Sequence, residues 1–375
     1  LESSKAVYTA TEIAQQPATW RKTLRQVSEI RSELDAFVQS VLSQPDFEVI
    51  FTGAGTSEYV GNALKPALIQ RLGGKVQSYA TTDIVANPYV YLSAEKPTLL
   101  VSFARSGNSP ESVGAVEAAD KICKNIKHLF ITCNAEGALA KAAETRENCF
   151  SIVLADETND RSFAMTSSFS NMYLTALLTF RPELANDVES VAAAVERFIE
   201  TGWQKTAKLI EEKPFARIVY LGSDSLKGIA QESCLKVLEL TAGKVVALHD
   251  SPLGFRHGPK SVVDETTLSV LYLSDDAVTR RYELDLLREL YRDRKGSKLL
   301  CVANTADEAV TSSCDSCIEL NFGKALPNAL MALGYITVAQ VVALQRSLSL
   351  GITPDNPCPT GEVNRVVKGV TIYPL

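Results

Sequence analysis

The sequence predicts a duplicated α/β fold: two tandem modules, each a mainly parallel, doubly wound sheet flanked by helices. Three observations predict it. Short apolar runs alternate with longer amphipathic stretches, the pattern of strands joined by crossover helices. Five elements of the first half recur, in order, in the second at an offset of about 169 residues. The length of 375 residues suits two modules at roughly 150 residues each.

The repeat carries most of the weight. EVIFT from Glu48 pairs with RIVYL from Arg217, and TLLVS from Thr98 with TLSVLYLS from Thr267. HLFITCN from His128 pairs with KLLCVAN from Lys298, and CFSIVL near Cys149 with SCIEL near Ser316. A long helical stretch closes each half, FSNMYLTALLTF and PNALMALGYITVAQVVALQRSL. One such coincidence would mean little. Five in sequence order at near-constant spacing read as domain duplication, since the period far exceeds that of a solenoid. The expected organisation is a helical lead-in over 1–34, a first module over 35–185, a second over 200–350 and a tail over 351–375.

Composition removes several function classes. The chain is 46% hydrophobic and 22% charged, as ordinary globular proteins are. A net charge of -6 speaks against a nucleic-acid partner, which needs a basic face. It leaves a small anionic ligand open, because such a ligand senses the local loop. Eight cysteines are present, several inside apolar runs, which fits buried free thiols better than a disulfide framework. Cys314 and Cys317 form one CxxC without a second ligand pair, so neither a metal nor a redox role is favoured there. No stretch is read as reaching the roughly 18 apolar residues of a membrane span. No charged-then-apolar leader opens the printed sequence, and a cytoplasmic location without a membrane partner is expected.

The loop after EVIFT reads GAGTS. Gly53 and Gly55 permit a tight turn, and Thr56 and Ser57 then place hydroxyls at a helix start. Free amides at a helix N-terminus suit an oxyanion. The loop after TLLVS is FARSGNSPES. There Ser106, Gly107, Asn108 and Ser109 precede Pro110, a favoured first helical residue, so Ser109 is the expected N-cap. Each loop alone reads equally well as an ordinary strand-to-helix turn. Their occurrence after consecutive strands, at the carboxyl ends where α/β sheets bind ligands, favours a phosphate cradle. The second half offers a control: Asp275 and Asp276 stand in its corresponding loop, and they would repel a phosphate. No GKS or GKT and no GxGxxG spacing is present, so nucleotide and dinucleotide readings are weak.

In the stretch GIAQESCLKVLELTAG, Glu232, Lys236 and Glu239 fall at i, i+4 and i+7, on one helical face. The residues leave two readings open. One is a solvated, ion-paired face, which the pattern by itself favours slightly. The other is a charged stripe lining a cleft or an interface. His257, one of three histidines, sits in FRHGPKS. A lone histidine is more often structural, yet this one lies in a Gly- and Pro-rich loop beside Arg256 and Lys260.

The loops TGAGTS and FARSGNSPES within a duplicated α/β layout resemble the sugar-isomerase (SIS) domain family, whose modules are flavodoxin-like. Together with SPLGFRHGPKS they resemble more closely the AgaS-type group of tagatose-6-phosphate ketose/aldose isomerases and galactosamine-6-phosphate deaminases. The chain is also similar to the isomerase half of glucosamine-6-phosphate synthase, including the lead-in TEIAQQPATWRKTL. The resemblance covers nearly the whole chain.

This resemblance implies a function and a set of roles. The expected activity is conversion of D-galactosamine 6-phosphate, or a close aldose 6-phosphate, to tagatose 6-phosphate with release of ammonia. Alternatives are a plain ketose/aldose isomerase and a non-catalytic sugar-phosphate sensor. Gly55, Thr56 and Ser57 of the first loop, and Arg105, Ser106, Asn108 and Ser109 of the second, are the implied phosphate and substrate contacts. Ala104 stands where the synthase carries a serine, which makes Arg105 the candidate to compensate. Glu239 is implied as the base that moves a proton from C2 to C1, with Glu232 as its partner. His257 is implied as the ring-opening residue, reaching the neighbouring subunit's site in a homodimer with shared active sites. Lys368, in the tail VVKGVTIY, is implied to bear on C1 and C2. The chemistry calls for no metal and no organic cofactor.

Overall fold

The computed structural model describes residues 4–367 and 369–375. Lys368 lies outside the described residues.

Two five-stranded parallel sheets form the framework. The first contains β1 (Glu48–Gly53), β2 (Val76–Ala80), β3 (Thr98–Ala104), β4 (Ile126–Thr132) and β5 (Cys149–Val153), in the order β2-β1-β3-β4-β5. The second contains β6 (Arg217–Leu221), β7 (Val246–Asp250), β8 (Thr267–Tyr272), β9 (Lys298–Ala303) and β10 (Ser316–Glu319), in the order β7-β6-β8-β9-β10. The two orders are the same topology, so the α/β duplication read from the sequence holds in three dimensions. β3 and β8 are buried along their whole length, as strands covered by helices on both faces must be. That burial explains their unbroken apolar runs.

β2 and β7 carry no comparable run. VQSYA and VALHD are half-exposed edge strands, and they take no part in the sequence repeat.

The closing helices of the two halves differ in length, and both are largely buried. Ser167–Phe180 is buried at every residue. Asn328–Ser349 spans 22 residues and is long and apolar enough to cross a membrane by length and composition, contrary to the expectation that no stretch would be. Its apolar window is 89% buried within the protein, so its hydrophobicity serves the core. It packs along the helix Ser225–Leu240, where the Ser347 hydroxyl donates to the Leu240 carbonyl at 2.5 Å.

The chain gathers into two compact units. One comprises residues through Pro17, Arg161–Thr166 and Asn186–Thr360; the other comprises Ala18–Asp160, Ser167–Ala185 and Gly361–Leu375. The helical lead-in is divided between them. In the first unit, Gln16 Nε2 donates to Gln340 Oε1 at 2.7 Å. In the second, Trp20 is fully buried and its indole N–H donates to Ser170 at 2.9 Å.

Candidate active site

β1 and β3 are hydrogen-bonded neighbours, with Thr52 opposite Ser102. The two loops singled out in the sequence therefore leave the same end of adjacent strands. After β1 the chain turns sharply at Gly53, where a Cβ would meet the Ser57 backbone at 2.5 Å. Gly55 has φ +57 and ψ -125, a conformation open almost only to glycine. The helix Thr56–Ile69 begins at once, with Thr56 and Ser57 buried in its first turn.

After β3, Ser109 caps the helix Pro110–Ile122 as expected, its hydroxyl accepting from the Ser112 amide at 3.3 Å. Asn108 Oδ1 accepts from the Ala138 amide at 2.8 Å, and Asn134 Nδ2 donates to the Ser106 carbonyl at 2.9 Å. These bonds hold the loop in shape and leave the Ser106 hydroxyl at its surface, accepting from the Asn108 amide at 3.3 Å. Arg105 is buried, and its guanidinium donates to the Arg365 carbonyl in the tail at 2.7 Å. Arg365 in turn donates to the Asp160 carbonyl at 3.1 Å. Neither link has a signal in the sequence, since both end on backbone carbonyls.

The same positions in the second sheet are filled by carboxylates of the chain itself. The Asp276 side chain caps the helix Ala277–Asp293 through the Val278 and Thr279 amides, at 3.1 and 2.8 Å. Asp275 accepts from Asn304 Nδ2 at 2.7 Å and from the Leu326 amide at 3.0 Å. Glu283 is fully buried and accepts from the Ser274 amide at 2.8 Å. Burial pushes its carboxyl up to about 7, against hydrogen bonds from Ser274 and Ser223 that pull the other way. Asp224 adopts φ +55 and ψ -131 at the start of its helix. The glycine-type turn of the first half is thus repeated, but with an acidic side chain.

The helix Ser225–Leu240 decides between the two readings of its charged face. Glu232 and Lys236 are fully buried, which excludes the solvated face. Lys236 Nζ lies 3.2 Å from Glu232 Oε1 and 2.6 Å from Glu239 Oε2. Glu239 keeps 22% side-chain exposure, so only the last carboxylate of the row meets solvent. Burial works against the charged lysine, but the two flanking carboxylates outweigh it and hold its pKa above the usual value. The sequence marks Lys236 only as part of a charged face; its burial makes it the centre of the cluster.

His257 is exposed, in the turn between the helix Pro252–Phe255 and the short 3-10 segment Pro259–Val262. The same turn is held by Arg256 and Lys260, which ion-pair with Glu289 at 2.8 and 2.5 Å. His128, by contrast, is fully buried on β4, with Nε2 2.9 Å from Asp120. It belongs to the core.

Comparison with known proteins agrees with this architecture. The SIS domain family matches residues 42–181. D-galactosamine-6-phosphate deaminase AgaS of Shewanella sp. (strain ANA-3) is 44% identical over 373 residues, covering 99% of this chain and 92% of that protein. The same-named protein of Escherichia coli is 42% identical over 374 residues, covering 99% and 97%. The crystal structure of tagatose-6-phosphate ketose/aldose isomerase from Escherichia coli superposes with a TM-score of 0.91 at 40% identity, covering 98% of this chain and 96% of that one. The chain belongs to the AgaS group of SIS-domain sugar-phosphate deaminases and isomerases.

Proposed function

We propose that this protein is a cytoplasmic D-galactosamine-6-phosphate deaminase, acting as a homodimer with shared active sites and producing tagatose 6-phosphate and ammonia. The observation that carries the reading is the buried row Glu232, Lys236, Glu239 in a chain 44% identical to a deaminase over nearly its full length.

The amides and hydroxyls of Gly55, Thr56, Ser57, Ser106 and Ser109 hold the substrate phosphate at the helix N-termini. Asn108 shapes that loop, and Arg105 ties it to the tail. His257 protonates the ring oxygen and opens the sugar; its exposure on this chain suits a role in the neighbouring subunit's site. Glu239 then takes the proton from C2, giving an enolamine, and returns it to C1. The resulting C2 imine adds water and loses ammonia, leaving the ketose. Lys236 fixes the Glu239 carboxylate while Glu232 balances the lysine charge. Lys368 is assigned to the C1–C2 end on the family resemblance alone. Phosphate binding remote from C2 supplies positioning for the reacting end. No step requires a metal or an organic cofactor. The modules over 35–185 and 200–350 carry the phosphate and proton-transfer roles respectively.

A second reading, a plain aldose/ketose 6-phosphate isomerase, draws on the structural relative that carries that name. The test is a side-by-side assay of galactosamine, glucosamine, N-acetylgalactosamine and galactose 6-phosphates, reading ammonia and ketose. Ammonia released from galactosamine 6-phosphate at the highest kcat/KM supports the deaminase. Ketose formed from galactose 6-phosphate alone would establish the isomerase instead.

A further inference from the structure

The tail is pinned to the first half of the chain at two points. One is the bond from the Arg105 guanidinium to the Arg365 carbonyl, at 2.7 Å. Arg105 directly precedes Ser106, in the loop assigned to the phosphate. The other lies seven positions after Arg365, where Ile372 meets the helix Pro110–Ile122 at Gly114. Tail and helix fall in the same compact unit, and that helix is the one capped by Ser109.

Gly114 is buried inside its helix, a position where glycine weakens the helix itself. Its surroundings supply the reason for it. A Cβ placed there would stand 3.1 Å from Ile372 Cγ2, 3.4 Å from Ile372 Cγ1 and 3.2 Å from Val85 Cγ1. The missing side chain therefore leaves a notch, bounded by Val85 of the helix Thr81–Ala86 and filled by Ile372. Ile372 is half-buried, while Val370, Thr371 and Tyr373 around it are exposed. One apolar residue turned inward among exposed neighbours is what fastens an otherwise irregular segment. Beside the notch runs a groove of about 220 Å³ that Lys121 and Leu375 also line.

We propose that Gly114 and Ile372 are positioning residues that seat the tail, so that the stretch 366–371 is held at both ends against the segment running from Arg105 to Gly114. The inference rests on the deaminase reading, which assigns Lys368 of that stretch to the C1–C2 end of the sugar. Pinned at Arg365 alone, the stretch would sample many positions. Fixing its far end at Gly114 removes that freedom before the substrate arrives, and a pre-set geometry lowers the barrier of the step it serves. The glycine is thus a requirement of the tail, imposed on a helix that would be stronger without it.

The experiment uses the full chain and two variants that empty the same seat from opposite sides, Gly114→Ala and Ile372→Ala. Each should speed amide hydrogen exchange across 366–375 in the free protein. Neither should lower Tm, since alanine favours the helix and Ile372 belongs to the tail. Each should cut kcat by about tenfold or more, measured on whichever hexose or hexosamine 6-phosphate the wild type turns over fastest. Affinity for a non-reacting hexitol 6-phosphate should stay unchanged. Ile372→Val should restore most of the rate, and the double alanine variant should be little worse than either single one, because both act on one contact. The preferred substrate of the wild type judges the deaminase reading separately, since the seat is read from tail exchange and relative kcat. Tail exchange as slow as in the wild type in both variants, faster exchange with kcat unchanged, or losses that multiply in the double variant would each overturn the proposal.

Discussion

Lys236 Nζ stands 2.6 Å from Glu239 Oε2, on a lysine with no solvent exposure. The pair sits at i and i+3 of one helix, with Glu232 a turn earlier completing a row of two carboxylates about one cation. A buried cation this close holds the glutamate carboxylate in place, which suits a base that must meet a C–H bond in a fixed direction.

Removing the cation strands two carboxylates beside an apolar helix. Lys236→Met keeps the volume and deletes the charge. It should lower stability by about 3–5 kcal/mol, the loss expected when one partner of a buried ion pair is removed. Urea denaturation at pH 7 measures this, and a loss below about 1 kcal/mol would mean that the cluster contributes little to folding.

Phosphate binding and proton transfer should separate by mutation. Glu239→Gln should cut kcat by about 10²–10⁴, the usual contribution of a general base, and abolish exchange of the C2 hydrogen with solvent deuterium. Its affinity for a sugar 6-phosphate inhibitor should be unchanged. Ser106→Ala should act mainly on KM, by about tenfold for one hydrogen bond to a charged group. Equal losses of inhibitor affinity in both variants would contradict the division of roles.

Glu283 makes a pH signature. Its carboxyl is raised by burial to about 7 in the folded protein, from an ordinary value of 4.5. Asp276 pushes the same way and Arg280 the other. Between these two values the folded state holds a proton that the unfolded state has released, so stability falls as pH rises. The loss should reach about 3 kcal/mol by pH 7 and then level off. Glu283→Gln should flatten that part of the stability–pH curve and stabilise the protein at pH 8. A wild-type curve rising from pH 5 to 7, with Glu283→Gln parallel to it, would exclude the assignment.

The turn at Gly55 should resist substitution. Nothing crowds a Cβ there, so the penalty is conformational. Gly55→Ala should cost about 1–3 kcal/mol for holding a side chain at positive φ, read as a lower Tm. It should also raise KM, because Thr56 and Ser57 follow directly.

Much of this was legible in the sequence because burial on both faces leaves an unbroken apolar run. β1, β3, β4, β6, β8 and β9 carry that mark, and the repeat aligned them. β2 and β7 are half-exposed edge strands whose VQSYA and VALHD segments share no apolar pattern, whereas the edge strands β5 and β10 were matched through CFSIVL and SCIEL. The Ser109 cap was legible because Ser-Pro before a helix has a local cause. The burial of Lys236 was not, since i, i+4 spacing describes a solvated face and a buried row equally well. The register that sets Cys317 on β10 opposite Cys301 on β9 depends on strand order, which no spacing rule encodes. The link from Arg105 through Arg365 to Asp160 runs between backbone carbonyls, and any residue can supply those.

The carboxylates of Asp275, Asp276 and Glu283 give the later half of the molecule built-in guests for its own loop amides. Those amides are satisfied before any metabolite arrives, so hydrogen exchange at Ser274, Val278 and Thr279 should ignore added sugar phosphate. The corresponding stretch from Ser106 to Ser109 should slow its exchange when the sugar phosphate binds. Converting the acidic half into a second receptor would require evicting three carboxyl groups together, so single replacements there should leave the number of ligands per chain unchanged.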